Sequence, residues 1–516
     1  MQQSQSKQQV GGILGFIERI GNKIPDITIL FISAFLLVCV VSAVLAQIHF
    51  NYVHPATGRP IEITNMLSGK ALVDLMSKMV TNYANFPPLS MVIVATLGIG
   101  IADGSGYINT GLKKILSITP KVLITPVVIL VGMLSHLGPD SGYVIIIPIA
   151  AYMFYAVGKH PLAGIAASFA GIAGAFAANY TPSAIEPVIQ GFTQSAAQII
   201  DPGYQVNVLC NYFYAFASTF IVIGACWWVT EKITNPWLWK ACPLDDDLDL
   251  GNENNSSITP SENRAFKIAT AVLLLMLTGL AAALYPADSI LRAPDGVIAS
   301  FKAPIMQSIV SLIFIFAALV GLVYGIACGK FKSPKDVTAA MEEITKTLVQ
   351  LIVFYFFAAQ FLYAFGASNM GALIAVSGAE FLKSLNLPPQ VTVFGIIVFV
   401  ALLNLIITSA SAKWAILAPI FVPMLMAVGI APELTQVAFR VSDSAVNVVT
   451  PMFAFYPLII LYCQKYVKNA GIGTLSSMML PYTIALLVSL TFMLYLFWWL
   501  DIPLGFQADY VYPRRF

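Results

Sequence analysis

The sequence predicts an all-α polytopic membrane protein, and its composition and hydrophobic patterning are the two observations behind this prediction. The chain has 516 residues, of which 58% are hydrophobic and only 10% are charged. Soluble proteins carry about 25% charged residues, so this chain has too few charges to cover a water-facing surface. Disorder is excluded as well, because it requires low hydrophobicity and high charge. The formal net charge of +2 gives no reason to expect a nucleic-acid partner, and the expected surroundings are a lipid bilayer.

Continuous apolar runs of about the right length predict the membrane spans, since a bilayer core of roughly 30 Å takes about 20 helical residues. These runs lie near residues 27–47, 89–108, 121–137, 206–230, 266–285, 304–328, 346–366, 391–409 and 477–500. Their continuity, without alternation, excludes a membrane β-barrel. Shorter runs, interrupted by Pro, Gly or charge, indicate hairpins and half-helices; they lie at 141–157, 161–179, 412–428 and 433–463.

Polar segments divide the chain into two transmembrane halves. The predicted order is a cytoplasmic N-terminus at 1–25, a first half at 26–230, a polar linker at 231–265, a second half at 266–500 and a C-terminal tail at 501–516. In the first half we expect a hairpin near 121–157 and a broken helix near 161–187, and in the second a hairpin near 391–428 and a broken helix near 433–463. Lys7, Arg19 and Lys23 favour a cytoplasmic N-terminus, because basic residues mark that side. No role is assigned to the acidic residues at 245–249.

An internal repeat relates the two halves. When the chain is shifted by 271 residues, positions 148–161 match 419–432 at seven of fourteen positions without a gap, and Pro and Gly residues are among the matches. Upstream, Tyr143 aligns with Trp414. A repeated, interrupted helix is typical of a secondary transporter with inverted repeats, whose substrate site lies near the midplane. The alternative is an old gene duplication that has kept no symmetry at a site.

Ionisable residues at membrane depth are costly and normally face a partner or a water-filled cavity. The sequence has five, all in or beside the broken segments: Asp140, Glu186, Lys413, Arg440 and Asp443. Polar, turn-prone residues surround Asp140 and fill the segment 408–414, as expected at the tip of a re-entrant hairpin. Small hydroxyl residues and freed carbonyls at such a tip can coordinate Na⁺. The alternative for both segments is a hydrogen-bonded interior turn.

The second broken helix carries the clearest candidate for a substrate site. Arg440, Asp443 and Asn447 share one helical face, and Pro451 then disrupts the helix. A guanidinium in a dry cavity suits the bidentate capture of a carboxylate. The alternative is an Arg440–Asp443 pair that only neutralises itself.

The first broken helix and one tryptophan add further candidates. Asn179 begins the sequence Asn-Tyr-Thr-Pro at the end of a Gly- and Ala-rich segment, and Glu186 follows as the only charge there. This pattern indicates a helix that is unwound at the midplane. Trp414 offers a flat face for an aromatic substrate, or it is an interfacial anchor.

The sequence shows no constellation typical of an enzyme. The six cysteines form no C-x-x-C pair, the four histidines have no zinc-ligand spacing, and no nucleophile–base motif is visible. We therefore expect no cofactor and no metal other than Na⁺ as a coupling ion, with H⁺ as the alternative. The expected ion-coupling residues are Asp140, Asn179, Glu186, Asn404, Ser409, Asp443 and Asn447.

Long sequence tracts resemble the p-aminobenzoyl-glutamate transporter (AbgT) family nearly end to end. They lie at 17–23, 158–164, 409–415 and 418–424, and Arg440-Val441-Ser442-Asp443-Ser444 is similar to the family's Arg-x-x-Asp-Ser. The resemblance implies a homodimer in the bacterial inner membrane, with nine spanning helices and two re-entrant hairpins in each subunit. It implies either uptake of p-aminobenzoyl-glutamate or export of p-aminobenzoate and sulfonamides. The family's site falls on Ser411, Trp414, Pro432, Arg440, Asp443 and Pro451, with an acidic position on Glu186.

Two positions depart from the family pattern. Members more often have Asp at the position of Glu186, and a neutral residue at that of Lys413. We expect the ammonium of Lys413 either to act as a fixed cation in place of Na⁺ or to extend towards water.

The sequence as a whole predicts a secondary active transporter of small aromatic carboxylates of the p-aminobenzoate type, driven by a Na⁺ or H⁺ gradient. Arg440 would hold the carboxylate and Trp414 would stack on the ring, while Pro432 and Pro451 keep the helices broken. The nearest alternative is the same fold with a dicarboxylate, an amino acid or a dipeptide as cargo. A membrane-embedded enzyme and a passive channel are the more distant alternatives.

Overall fold

The computed structural model describes residues 25–53, 58–135, 142–245, 258–300 and 302–513. Throughout these ranges the regular structure is helical, with no β-strand, so the predicted all-α class is confirmed. The N-terminal segment 1–24, Asp140 at the predicted first hairpin tip, and the acidic positions 246–249 lie outside the described residues.

The residues that the structure describes up to position 245 form ten α-helices. They are α1 Ile27–Leu45, α2 Gly69–Ala84, α3 Pro87–Ser105, α4 Tyr107–Ser117, α5 Ile124–Leu134, α6 Ile147–Ala156, α7 Pro161–Gly174, α8 Ile185–Ala197, α9 Tyr212–Val229 and α10 Asn235–Ala241. Short 3₁₀ and π turns extend three of them, at Lys121–Leu123, Gly142–Ile146 and Thr230–Thr234. Proline at the first helical position begins α3 and α7, where its missing N–H leaves no hydrogen bond unmade.

The second half repeats this alternation of long and short helices. They are α11 Pro260–Leu284, α12 Pro304–Gln307, α13 Ile309–Ala327, α14 Pro334–Lys346, α15 Val349–Ala367, α16 Met370–Ser384, α17 Pro389–Asn404, α18 Ala410–Met426, α19 Pro432–Val446, α20 Tyr456–Gln464 and α21 Ile472–Trp499. A capping box at Thr259 and Glu262 fixes the start of α11, because both side chains satisfy backbone N–H groups.

Not every predicted span is a long, straight helix. Among the described residues, seven helices are long and apolar enough to cross a membrane, or eight if one bent pair counts as a single span. That pair is α16 with α17, and the chain bends by 116° between them, so the run at 391–409 folds as one arm of a bent element. The run at 121–137 folds as a shorter apolar helix, Lys121–Leu134.

The internal repeat is visible in the backbone. The α6–α7 and α18–α19 connections each turn at a glycine with positive φ, 78° at Gly158 and 88° at Gly429. The Lys159 N–H donates to the Phe154 carbonyl, and the Ile430 N–H donates to the Leu425 carbonyl, both at 2.9 Å. All these positions are related by the same shift of 271 residues. Glycine is favoured at both turns because a left-handed residue closes the helix end.

The helix breaks also repeat at this offset. After α7 the chain unwinds and resumes as a helix at Ile185, and after α19 it resumes at Tyr456. These breaks contain Asn179 and Pro182 in the first half and Pro451 in the second. The structure thus contains two half-helix pairs, α7–α8 and α19–α20.

The two repeats are inverted. The backbone N–H of His160, which follows the first turn, donates to the side-chain oxygen of Asn235 near the end of the continuous Tyr212–Ala241 helix. At the other end of that helix, Asn211 donates to the carbonyl of Glu433, just after the second turn. These ends are about 36 Å apart at 1.5 Å per residue, so the turns lie at opposite membrane faces. The inverted-repeat architecture is therefore confirmed.

Glycines allow the helices around the first broken helix to pack closely. A Cβ built on Gly171 would lie 2.4 Å from the Ile129 carbonyl oxygen, and one on Gly132 would lie 2.7 Å from that of Ser168. Small residues at such crossings are common in membranes, where close backbone approach supplies the packing energy. This contact fixes α7 against α5 and thereby positions the break that follows it.

We expect Gly171→Ala to lower the stability by about 1–3 kcal/mol, because the added methyl group overpacks the α5–α7 crossing. Thermal unfolding of the purified protein in detergent measures this. Gly279→Ala in α11 is the control, since nothing lies within 4 Å of its added Cβ. Equal melting temperatures for Gly171→Ala and the parent would contradict the packing described here.

Candidate functional site

The two broken helices and the helix α18 bring four buried charges into one region. Glu186 lies in the first turn of α8, Lys413 in the first turn of α18, and Arg440 and Asp443 on α19. Their exposed fractions are 8%, 1%, 3% and 1%, respectively. Burial of this kind is tolerated only where charges are paired and hydrogen-bonded.

Arg440 connects the break of the first half to α19 of the second. Its Nη2 lies 3.0 Å from Oε1 of Glu186. Its Nε and Nη2 also donate to the carbonyl of Phe176, at 2.8 and 2.5 Å. The second carboxylate oxygen of Glu186 accepts from the N–H and the hydroxyl of Ser183, at 2.6 and 2.8 Å. The guanidinium therefore satisfies a carbonyl that the helix break has freed, as well as a carboxylate.

Lys413 and Asp443 form the second pair, with Nζ and Oδ1 2.5 Å apart. The ammonium also donates to the amide oxygen of Asn404, and the amide nitrogen of Asn404 donates to the backbone carbonyl of Asp443 at 3.1 Å. Asn447 donates to the other carboxylate oxygen of Asp443 at 3.0 Å. The structure thus brings together four of the predicted residues, namely Asn404, Lys413, Asp443 and Asn447. The ammonium of Lys413 lies between the side-chain oxygens of Asp443 and Asn404.

The shared helical face had left one alternative, in which Arg440 and Asp443 only neutralise each other. The contacts in the structure contradict it. Each of the two residues has its ion-pair partner on another segment, because Glu186 and Lys413 approach α19 from α8 and α18. Two cations and two carboxylates together carry no net charge. Removing any one of them leaves a buried charge without its partner.

The other predicted residues have more varied surroundings. Trp414 is fully buried, which excludes the interfacial-anchor alternative. Its ring stacks on Phe439 with centroids 4.5 Å apart, and its indole N–H donates to Thr193 at 2.8 Å. Pro432 is the first residue of α19, and Pro451 lies in the break between α19 and α20.

Two predicted coupling residues serve local structure. The hydroxyl of Ser409 caps α18 by accepting from the Ala412 N–H. The side-chain oxygen of Asn179 accepts from the N–H and hydroxyl of Thr181, at 3.1 and 3.0 Å. The amide nitrogen of Asn179 is buried and has no hydrogen-bond partner among the described residues.

A cavity of about 300 Å³ lies beside the charged cluster, within the size range of small-molecule sites. Ser411 and Ser183 contribute hydroxyl groups to its wall, and Tyr143, Phe453 and Phe455 contribute aromatic rings. Tyr143 and Phe455 stack with centroids 4.4 Å apart. The hydrogen bond from Ser183 to Glu186 joins the cavity to the charged cluster.

The sequence predicted only part of this wall. Of the predicted site residues that the structure describes, Ser411 lines the cavity, whereas Trp414, Arg440 and Asp443 do not. Tyr143, Phe453 and Phe455 were not among the predicted site residues, because aromatic residues within apolar runs have the same sequence pattern as residues of a hydrophobic core. One signal was available for Tyr143, since the repeat aligns it with Trp414.

A dedicated metal site has no support in the described part of the chain. No group of three His, Cys, Asp or Glu side chains there is arranged to hold a metal ion. A weakly held Na⁺ would need oxygens such as those of Asp443 and Asn404. The ammonium of Lys413 already contacts both.

Comparisons with known proteins agree with this architecture. The AbgT putative transporter family model matches residues 12–512. The p-aminobenzoyl-glutamate transport protein of Escherichia coli (strain K12) is 32% identical over 511 residues, which cover 99% of this chain and 98% of that protein. The sequence resemblance is thereby confirmed.

Two solved structures are similar over nearly their whole length. Neisseria gonorrhoeae MtrF, described as illuminating a class of antimetabolite efflux pumps, has a TM-score of 0.90 and 39% identity, covering 96% of this chain and all of that one. The Alcanivorax borkumensis YdaH transporter, described as having an unusual topology, has a TM-score of 0.87 and 36% identity, covering 93% of this chain and all of that one.

We expect Lys413→Met to lower the stability by about 3–5 kcal/mol, because it leaves the Asp443 carboxylate buried without its cation. Adding Asp443→Asn removes that charge and should recover much of the loss. The measurement is thermal or denaturant unfolding of four proteins: the parent, the two single variants and the double variant. Together they form a double-mutant cycle. Strictly additive single effects, or a fully stable Lys413→Met, would refute the coupling of this pair.

Proposed function

This chain belongs to the AbgT putative transporter family and is a multi-pass membrane transporter, and from this premise we propose that it carries aromatic carboxylates of the p-aminobenzoate type. The buried Arg440 beside an aromatic cavity is the observation that carries the proposal. The names of two relatives support the substrate class: one is a p-aminobenzoyl-glutamate transport protein and another belongs to antimetabolite efflux pumps.

In the proposed binding mode the substrate ring lies in the cavity lined by Tyr143 and Phe455. Its carboxylate reaches Arg440, whose hydrogen bonds in this structure use Nε and Nη2. The carboxylate therefore binds at Nη1 or replaces Glu186 at Nη2. For Trp414 to stack on the substrate, as the sequence suggested, Phe439 would first have to leave its ring.

The charge balance supports coupling to a cation gradient. The four charged side chains sum to zero, so an entering carboxylate adds one uncompensated negative charge to a low-dielectric interior, which is costly. A proton that enters together with the substrate restores the balance. Since Lys413 already contacts the oxygens of Asp443 and Asn404, we propose H⁺ and not Na⁺ as the coupling ion.

We further propose a homodimer in the bacterial inner membrane with a cytoplasmic N-terminus. The orientation is supported by basic residues in the segments expected on that side, among them Lys113 and Lys114 after α3 and Lys330, Lys332 and Lys335 after α13. The homodimer is supported by the family resemblance.

We expect the protein to change the steady-state level of radiolabelled p-aminobenzoate in energised cells, and Asp443→Asn to abolish this change. The reason is that the variant leaves Lys413 without its carboxylate in the coupling cluster. Asp288→Asn, on the exposed surface, is the matched control and should behave as the parent. Membrane levels of each variant are measured alongside.

Lower accumulation with the parent, lost on gradient collapse, identifies an exporter, and higher accumulation identifies an importer. An unchanged level with well-expressed parent would reject this substrate class. Full activity of Asp443→Asn would reject the coupling role of Asp443.

We also expect the initial transport rate to change by less than about two-fold when Na⁺ is replaced by choline at constant pH and membrane potential, because a tethered ammonium needs no Na⁺. Proteoliposomes with defined internal and external buffers provide the measurement. Transport that stops in the absence of Na⁺ would refute the role given to Lys413.

A further inference from the structure

A second cavity, of about 620 Å³, lies at the end of α9, away from the transport site. Three lysines contribute to its wall, Lys121, Lys159 and Lys232, together with the large rings of Trp227 and Trp228. None of these residues lines the first cavity or joins the charged cluster. Tryptophan and lysine together are typical of the level at which lipid headgroups lie.

This cavity carries an excess of positive charge. Lys159 forms an ion pair with Glu231, which also accepts from Thr125. Lys121 and Lys232 are exposed and form no ion pair with any carboxylate that the structure describes. Two ammonium groups are therefore available to an anion.

An apolar groove of about 580 Å³ continues from the cavity and shares Trp228 with it. One wall is α9, with Ile221 and Ala225, and the other is α21. Along α21 the exposed groove residues recur every fourth position, at Leu480, Ile484, Val488 and Phe492. At 1.5 Å per residue this stripe is about 18 Å long, close to one leaflet of the roughly 30 Å hydrocarbon core.

The groove runs from the lysine-lined cavity towards the middle of the membrane. Near the lysines, the hydroxyls of Thr230 and Tyr482 are 2.7 Å apart. Further along, Tyr214 donates to the carbonyl of Leu490 at 2.8 Å. Helices α9 and α21 are thus antiparallel, and Phe492 lies deeper than Leu480.

We propose that this cavity and groove form a binding site for one phospholipid with an anionic headgroup. Lys121 and Lys232 bind its phosphate, the two tryptophans enclose its glycerol region, and an acyl chain lies along α21. Basic cavities between transmembrane helices recognise such headgroups. The groove distinguishes the lipid from a soluble phosphate, which would gain nothing from an 18 Å apolar stripe. The site is independent of the proposed transport function.

The test is native mass spectrometry of the purified full chain with phosphatidylglycerol and, as the neutral reference, phosphatidylcholine. The parent should retain phosphatidylglycerol selectively, and Lys121→Gln with Lys232→Gln should weaken this binding about 30-fold, at roughly five-fold per lysine near a membrane surface. Lys332→Gln with Lys335→Gln is the matched control, since it removes two exposed lysines that do not line the cavity. Its affinity should equal that of the parent.

Ala225→Trp tests the groove separately, because it fills the apolar channel without changing charge and should also displace the lipid. Circular dichroism and size-exclusion chromatography check that each variant folds. Equal binding of both lipids, equal losses in the control variant, or competition by glycerol 3-phosphate at the affinity of the lipid would overturn the proposal. The proposal would also be overturned if Ala225→Trp changed the oligomeric state and left lipid binding unaltered. That result would assign the groove to a second copy of the chain.

Discussion

The balance of four charges in a nonpolar interior is the constraint on which the rest of this structure depends. Glu186 and Arg440 neutralise each other across the two halves, and Lys413 and Asp443 do so between α18 and α19. Since an unpaired charge at this depth is costly, separating either ion pair requires another charged or polar group to replace the lost partner. In the transport mechanism proposed above, this electrostatic requirement is what couples a movement of the two halves to the arrival of charge.

The internal repeat supplies the backbone for this arrangement but not its chemistry. Turns and breaks recur at one offset because Pro and Gly fix them locally, at Gly158 and Gly429 and again after α7 and α19. The charges do not recur, since Phe169 and Ile172 stand at the positions equivalent to Arg440 and Asp443. A symmetric scaffold thus carries an asymmetric site, with the first half contributing a carboxylate and a freed carbonyl and the second contributing the guanidinium.

The same distinction explains what could be predicted from the sequence. Membrane composition, the repeat and the broken helices follow from local patterns, because apolar length, Pro and Gly act on their own segment. The partners of Arg440 and Asp443 could not be predicted, since they depend on which helices pack side by side. The position of Tyr143 and Phe455 in the cavity wall could not be predicted for a related reason. A ring that lines a cavity and a ring that fills a core have the same sequence context, and only the fold distinguishes them.

The connection between cavity and cluster passes through Ser183. Its hydroxyl lines the cavity and also donates to Glu186, so a ligand that engages Ser183 competes directly for a bond that holds the carboxylate. If Glu186 then releases Arg440, the guanidinium keeps only its bonds to the Phe176 carbonyl within the helix break. A carbonyl in an unwound segment has no helical partner to return to. A movement of Arg440 away from this carbonyl therefore leaves a buried acceptor without its donor, so the break between α7 and α8, and not the long spans, holds the contact that such a movement has to replace.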